Sequence, residues 1–307
     1  MKIELRNQFK QRAISKPDFI DRMYLEHQEL FEYSSLLGET ALSGIEITDK
    51  GVVFITREDG IRFFCEKADK RTAPFEILNF NEYESDDAGL FYLLAAGSGT
   101  IFDIGANIGW YSLSLARKFP ASRVYSFEPL PATFASLERN VRLNEARNIE
   151  LHNFGFSREN TTLRFFSSRH TSVSNSAENI SGESDAVETL CEVRRLDDYM
   201  EGKEQTIDLV KCDVEGAELL VFEGAMLTFR RQLPMIFCEM LRKWAAKYNY
   251  HPNDIIALLA GLGYHCFVNN GQNRLSAIRQ VTDDTIQTNF FFLHPEKHSP
   301  ILLAYGE

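Results

Sequence analysis

From residue 100 onward the chain alternates between two hydrophobic rhythms, and that alternation limits the fold more than any other feature. Short apolar runs with strand character lie at 100–104, 123–127, 149–156, 207–212, 235–240, 264–268 and 289–293. Segments with helical spacing, at 111–118, 131–143, 217–229 and 253–262, fall among them. Strands separated by helices pair in parallel, because each crossover returns the chain to the end of the sheet where the previous strand began. The expected class is therefore α/β: a doubly wound, mainly parallel sheet with helices on both faces.

One stretch interrupts the rhythm. Between Phe166 and Ala186 there are seven serines and no apolar period. A loop this long in a compact domain is usually functional or disordered. Residues 167–186 are expected to form a mobile lid over the substrate side of the cleft, carried by strands at 161–166 and 187–196.

The first 80 residues read as a separate accessory region, with the main domain at 81–307. Ser15 and Asp18 have capping-box spacing, and Pro17 suits a first helical turn. Phe19, Ile20, Met23, Tyr24, Leu30, Phe31 and Leu37 then recur at helical spacing up to Gly38. That apolar stripe needs a partner, either the main domain or a second copy of the chain, so a homo-oligomer through this helix is one expectation. Ile45, Ile47, Val52–Ile55 and Ile61–Cys65, broken at Asp49-Lys50-Gly51 and Asp59-Gly60, predict a small antiparallel unit. A further helix starts at Ser85 and ends near Gly97. Asp86 and Asp87 in its first turn complement the helix dipole or face a ligand.

Charge and cysteine usage exclude several classes. Lys+Arg of 33 against Asp+Glu of 44 gives a net charge of −11, which opposes binding to nucleic-acid phosphates. The five cysteines are scattered without a C-x-x-C pair, so neither a disulfide framework nor a zinc cluster is expected. The start of the chain lacks the apolar core of a signal peptide, and no apolar run approaches the ~20 residues of a membrane span. The expected setting is the cytoplasm.

Four motifs carry chemistry. The first is Asp103-Ile104-Gly105-Ala106-Asn107-Ile108-Gly109, after the first strand of the alternating region. Glycine there permits a sharp turn and close approach to a ligand, and the loop delivers free amides to a helix N-terminus. Asn107 stands where a dinucleotide-binding loop has its second glycine, the one that admits a pyrophosphate. The loop suits a ligand with a carboxylate and no phosphate, such as S-adenosylmethionine (SAM), or is a plain turn. The second motif is Phe127-Glu128-Pro129. Glu128 follows Gly105 by 23 residues, where an acidic side chain can accept both ribose hydroxyls of a nucleoside.

The third motif runs from Ile207 to Glu218. Alternation puts Lys211 and Asp213 on one face, and a lysine in so apolar a strand has to be paired or snorkelling, with Asp213 the nearest candidate. Asp213 falls at a strand's carboxyl end, where open α/β sheets bind ligands. Glu215 and Glu218 read as decoration of the next helix N-terminus, with a ligand role for Glu215 equally open. In the fourth motif, Pro234 to Met240, Glu239 is the one charge in an apolar run. Such a carboxylate is either a base with a raised pKa or a satisfied strand end. The hard oxygens of Asp213 and Glu239 would suit a bridging Mg²⁺, but two carboxylates are too few ligands to assign a metal site.

The runs DIGANIGWYSLSLA, YSFEP, RRLDDYM, IDLVKCDVEGAELLVFEGA and LPMIFCEM, in this order from about Thr100 to Pro295, resemble the FkbM family of SAM-dependent methyltransferases. The resemblance implies a Rossmann-like class I methyltransferase fold, SAM as cofactor, and O-methylation of a hydroxyl on a sugar, glycan or natural product. It implies cofactor-binding roles for Asp103, Gly105, Ala106, Asn107, Glu128, Phe156 and Asp213. It matches Asp213 and Glu215 to the family's D-x-E-G motif, and Glu239 to its strand-end glutamate. Glu239 is then the expected base and Asp213 a positioning group. Where the family has an acidic residue that meets the adenine, this chain reads Gly155-Phe156-Ser157-Arg158. Asp213-Val214-Glu215-Gly216 also replaces the Asn/Asp-Pro-Pro-aromatic run typical of nucleobase methylation. Two other functions remain to be weighed: a nicotinamide-dependent oxidoreductase, which Asn107 disfavours, and a catalytically silent SAM-binding scaffold.

Overall fold

The computed structural model describes residues 1–67, 69–83, 85–167 and 187–307. The serine-rich stretch expected to act as a lid lies outside the described residues, apart from Ser167 at the end of its leading strand.

The chain begins with a helix that sequence reading missed, α1 (Lys2–Lys10), folded against α2 (Lys16–Gly38). Phe9 stacks on Phe19 at 4.6 Å between ring centroids. As predicted, Ser15 caps α2 by accepting from Asp18 N, and the helix ends at Gly38. A meander of β1 (Leu42–Thr48), β2 (Gly51–Thr56) and β3 (Arg62–Cys65) forms a three-stranded antiparallel sheet, followed by α3 (Ala73–Phe80). Side-chain amides hold this unit to the main domain. Asn144 Oδ1 accepts Arg62 N and Asn140 Oδ1 accepts Phe64 N, each at 2.8 Å, while Phe63 stacks on Trp110.

After α4 (Ser85–Ala95) the alternation begins: β4 (Thr100–Ile104), α5 (Trp110–Lys118), β5 (Arg123–Phe127), α6 (Pro131–Leu143) and β6 (Ile149–His152). An excursion follows, made of β7 (Gly155–Phe156), β8 (Thr161–Ser167), β9 (Val187–Arg194) and the short α7 (Leu196–Met200). The chain then returns through β10 (Leu209–Cys212), α8 (Glu218–Glu223), α9 (Met226–Gln232) and β11 (Met235–Glu239). It closes with α10 (Arg242–Ala245), a 3-10 turn (Ala246–Tyr248), α11 (Pro252–Ala260), β12 (His265–Asn269), β13 (Leu275–Ile278), β14 (Asn289–Leu293) and α12 (Ser299–Tyr305).

Among the described residues the main sheet has eight strands, in the order β13-β12-β14-β11-β10-β4-β5-β6. Strands β11, β10, β4, β5 and β6 are parallel to their neighbours in that run, while β14 is antiparallel to both β11 and β12. Alternation along each strand fills both faces. Phe102, Phe127, Ile236 and Phe292 bury on one side, and Ile101, Val124, Phe237 and Phe291 on the other. The sheet is therefore covered twice, as the apolar runs required. Among the described residues no helix is long and apolar enough to cross a membrane.

Two predicted elements break, each for a visible reason. The strand expected over 149–156 stops at His152 because Asn153 turns back to donate to the carbonyls of Glu128 and Pro129. Residues 155–156 then pair with β9 in a second three-stranded sheet, ordered β7-β9-β8. The helix expected over 217–229 divides at Gly224. A Cβ there would lie 2.1 Å from the Ser157 carbonyl oxygen. The new helix start is sealed from a distance, because the Asp197 carboxylate accepts Leu227 N at 3.1 Å and Thr228 N at 2.7 Å.

Candidate functional site

The site is assembled where β4, β5 and β10 end side by side. Gly105 leaves β4 with φ +78°, and a Cβ at this position would stand 1.8 Å from the carbonyl oxygen of Asp213. Only glycine lets the two strand ends approach so closely. Gly105 N and Ala106 N both donate to the Phe127 carbonyl at 3.0 Å, which ties the loop to β5. Asn107 takes a left-handed conformation, φ 49°, which asparagine tolerates better than most residues.

Glu128, at the end of β5, is 6% exposed. Its two oxygens accept Asn107 N at 3.1 Å and Leu130 N at 3.0 Å, so the carboxylate is aimed by backbone on both sides. Burial pushes its pKa up to about 7, against the pull of those amides.

Lys211 is paired, as its apolar strand required, but with more than the expected partner. Its ammonium lies 3.3 Å from Asp213 Oδ2 and 3.4 Å from Asp103 Oδ1, and donates to the Gly105 carbonyl at 3.1 Å. Asp103 joins because the parallel register sets it opposite Lys211. Its other oxygen accepts Ser112 Oγ at 2.5 Å. One buried cation thus links the end of β4, the glycine loop and the turn after β10.

That turn is held by Glu218, which sequence reading had assigned to the helix N-terminus as decoration. The residue does begin α8, yet it is only 2% exposed. One oxygen accepts Val214 N and Gly216 N, both at 3.0 Å, and the other lies 3.1 Å from the Tyr250 hydroxyl. Burial raises its pKa to about 7. The available signal was a carboxylate two residues beyond a glycine: Gly216 has φ +99°, and its close packing on Trp244 leaves no room for a Cβ.

These residues enclose a cavity. Gly105, Asn107, Glu128, Asp213, Val214 and Glu215 line its polar end, and Pro129, Leu130, Phe156, Leu163, Phe165 and Val193 its apolar wall. Five of the seven expected cofactor residues therefore meet here: Gly105, Asn107, Glu128, Phe156 and Asp213. The other two, Asp103 and Ala106, lie behind the lining and act on its shape. Strands β8 and β9 contribute Leu163, Phe165 and Val193, none of which was singled out from sequence. Glu239 is not part of the lining. It stands half-buried at the end of β11, beside Asp213's strand and opposite Asn289 of β14. Asn289 in turn donates to Asp87 of α4 at 3.2 Å, which gives that helix-start carboxylate a partner.

Part of the chain that builds this site is similar in sequence to known proteins. A family model described as the methyltransferase FkbM domain matches residues 103–266, just over half of the 307-residue chain. A Beauveria bassiana protein, methyltransferase 1, is 32% identical over 40% of this chain and 57% of its own length. The methyltransferase sdnD of Sordaria araneosa is 34% identical over 40% of this chain and 59% of its own. The chain thus spans less than two thirds of these relatives. Among solved structures, an FkbM methyltransferase from Methylobacillus flagellatus KT aligns with a TM-score of 0.41 at 19% identity, covering 64% of this chain and 43% of the other.

Proposed function

This chain belongs to the FkbM methyltransferase family, and on that premise we propose that it O-methylates a hydroxyl of a sugar, glycan or natural product, with Glu239 as the base. Its class is that of SAM-dependent methyltransferases. The alternative of nicotinamide chemistry gives way to the family membership, and nothing in the cavity favours a silent scaffold.

The residues present fit SAM. Gly105 lets the ends of β4 and β10 close on each other at the polar end, the buried Glu128 carboxylate suits a ribose diol, and the apolar wall suits a purine. Bound SAM supplies a methyl group on a positively charged sulfur, ready for nucleophilic attack. Under this reading Glu128 holds the ribose, Asn107 and the glycine loop sit beside it, and Phe156 flanks the base. Asp213 is a positioning group kept in place by Lys211, and the surplus of carboxylates around this one lysine favours a ligand of net positive charge.

The chain's part in the reaction is then orientation and proton removal. Methyl transfer depends above all on in-line placement of the acceptor oxygen. A hydroxyl acceptor also has to lose its proton, and Glu239 is the carboxylate next to Asp213 in strand order. The adjacency of β10 and β11 supports this assignment, with the Cys212–Cys238 pair one step before the two acidic residues. Residues 1–80 take an accessory part, since none of the described residues lining the cavity precedes Ile104.

The observation that carries the reading is the cavity shared by the carboxyl ends of β4, β5 and β10. Labelled methyl transfer from SAM into carbohydrate and metabolite pools, with the product's methyl position read by NMR, tests it. An O-methyl product is expected, and N- or C-methylation overturns the acceptor class. The Glu239→Gln variant should slow transfer by roughly 10²–10⁴-fold, with SAM affinity within a few-fold of wild type. Near wild-type transfer by Glu239→Gln, together with an inactive Asp213→Asn, would exchange the two roles.

A further inference from the structure

We propose that the amino-terminal unit binds a free single-chain amphiphile with an anionic head, in a trough between α2 and the small sheet. One helix face and one sheet face build that trough. Leu30, Tyr33, Ser34 and Leu37 of α2 recur at i, i+3, i+4 and i+7, a spacing that ordinarily closes on a core. Opposite them, Ile45, Ile47, Val52 and Phe54 share one face of the meander, because the register pairs Ile45 with Phe54 and Ile47 with Val52. The two faces do not close. A cavity of about 860 Å³ lies between them, within the ~300–1,000 Å³ range of small-molecule sites.

The walls are apolar and wet. Leu30, Tyr33 and Ile47 line the cavity yet are 53%, 45% and 65% exposed. A hydrocarbon chain laid along them takes that surface out of water. The inner end is closed by Leu37, Phe54, Phe75 and Leu78, with the Phe54 and Phe75 rings edge-on at 5.1 Å.

Charge identifies the head. At the outer end stand Lys50 and Lys67, both exposed, two steps beyond the strand pair Val52 and Cys65. Among the described residues neither forms an ion pair; lysine ion pairs are made there by Lys2, Lys118 and Lys211. Glu66 also lines this end, but it is engaged by Arg139 at 3.1 Å. Like charges facing each other across neighbouring strands repel, and an anion between them removes that cost. An apolar trough closed at one end and carrying two free cations at the other fits a tail and an anionic head, in that order. No residue lining this trough lines the cofactor cavity, so the inference does not rest on the acceptor proposed above.

Calorimetry of the full chain with dodecanoate, kept below its micelle-forming concentration, tests this. One dodecanoate per chain is expected, with affinity falling about fourfold for each methylene removed in decanoate and octanoate. Dodecyltrimethylammonium, with the same tail and the opposite charge, should bind at least about tenfold more weakly. Lys50→Glu with Lys67→Glu should abolish that preference, and Leu30→Trp should weaken dodecanoate binding by filling the trough. All three positions are exposed, so circular dichroism and melting should stay as in the wild type. Saturating S-adenosylhomocysteine should leave the titration unchanged. The proposal is overturned if dodecanoate shows no saturable binding, if both head groups bind equally, or if binding survives both sets of substitutions. Competition with S-adenosylhomocysteine overturns it too, by putting the tail in the cofactor cavity. A double-mass species in light scattering that dodecanoate splits would assign the trough to a second copy, and overturns it as well.

Discussion

At the end of the cavity formed by β4 and β10, polar groups are locked to one another at short range. Lys211 reaches Asp103, Asp213 and the Gly105 carbonyl within 3.4 Å, and Glu128 is fixed by two backbone amides. At the other end, walled by Pro129, Phe156, Leu163, Phe165 and Val193, the surface is apolar and comes largely from the β7-β9-β8 excursion. The first end works through direction and charge, and a small displacement spoils several contacts together. The second works through area, and loses affinity in proportion to the atoms removed. Substitutions should therefore separate into steep and shallow effects according to the end they touch.

The steepest effect should come from Gly105→Ala. The new methyl would stand 1.8 Å from the Asp213 carbonyl oxygen at a φ of +78°, so the loop or the end of β10 has to move. Forcing such a contact costs about 1–3 kcal/mol, occasionally more, and calorimetry with S-adenosylhomocysteine should show a loss at or above the top of that range. Binding within threefold of wild type would mean that the polar end is more pliant than its contacts indicate.

Next in size is Glu128→Gln, which removes a charged acceptor and should weaken SAM binding by about 1–3 kcal/mol. The same residue sharpens the comparison through pH. Its pKa of about 7 in the free protein means that a proton must leave before the carboxylate can accept both ribose hydroxyls. Affinity should fall as pH drops below about 7, by up to tenfold per unit, and Glu128→Gln should flatten that profile. The sign for stability is opposite. Glu128 and Glu218, raised from an ordinary 4.5 to about 7, bind protons more tightly folded than unfolded. Their contribution to the stability of the free protein is fully present below 4.5 and is lost as pH rises through about 7. Thermal melts across that range, with Glu218→Gln as the control whose dependence is reduced, check this.

The smallest effect should be at the apolar end. Phe165→Ala removes part of a half-buried wall and should cost no more than about 1 kcal/mol of SAM affinity, with binding at acid and neutral pH altered alike. A loss equal to that of Glu128→Gln would abolish the distinction between the two ends.

The polar end was the more legible in sequence, because its residue types are unusual in their places. A lysine in the strand Leu209–Cys212, a glycine directly after Thr100–Ile104, and a glutamate directly after Arg123–Phe127 each have few physical explanations. Central strands were legible for a related reason: Arg123–Phe127 and Asn289–Leu293 are short apolar runs that only a buried strand accommodates, and both stand as read. The apolar wall was hidden, since Leu163, Phe165 and Val193 look like any half-buried strand residues until β7 leaves the main sheet to pair with β9. Glu218 was hidden by its position, where a surface carboxylate is common, and its burial depends on Tyr250, 32 residues away. The divided helix at Gly224 depends likewise on Ser157 and Asp197, contacts that no local pattern contains.

The placement of β14 has a consequence for how the protein is made. This strand is the last of the sheet in chain order, yet it lies between β11 and β12. On a ribosome, β10, β4, β5 and β6 can pair as soon as they emerge, while β11 keeps one open edge. Its residues Met235-Ile236-Phe237-Cys238 are all buried in the finished fold. The partner for that edge arrives about fifty residues later, several seconds at ordinary rates of synthesis. Until then the nascent chain presents an apolar strand edge of the kind that recruits other chains. Yield in the cell should thus depend on how fast translation carries the chain from Glu239 to Asn289, independently of how stable the completed protein is.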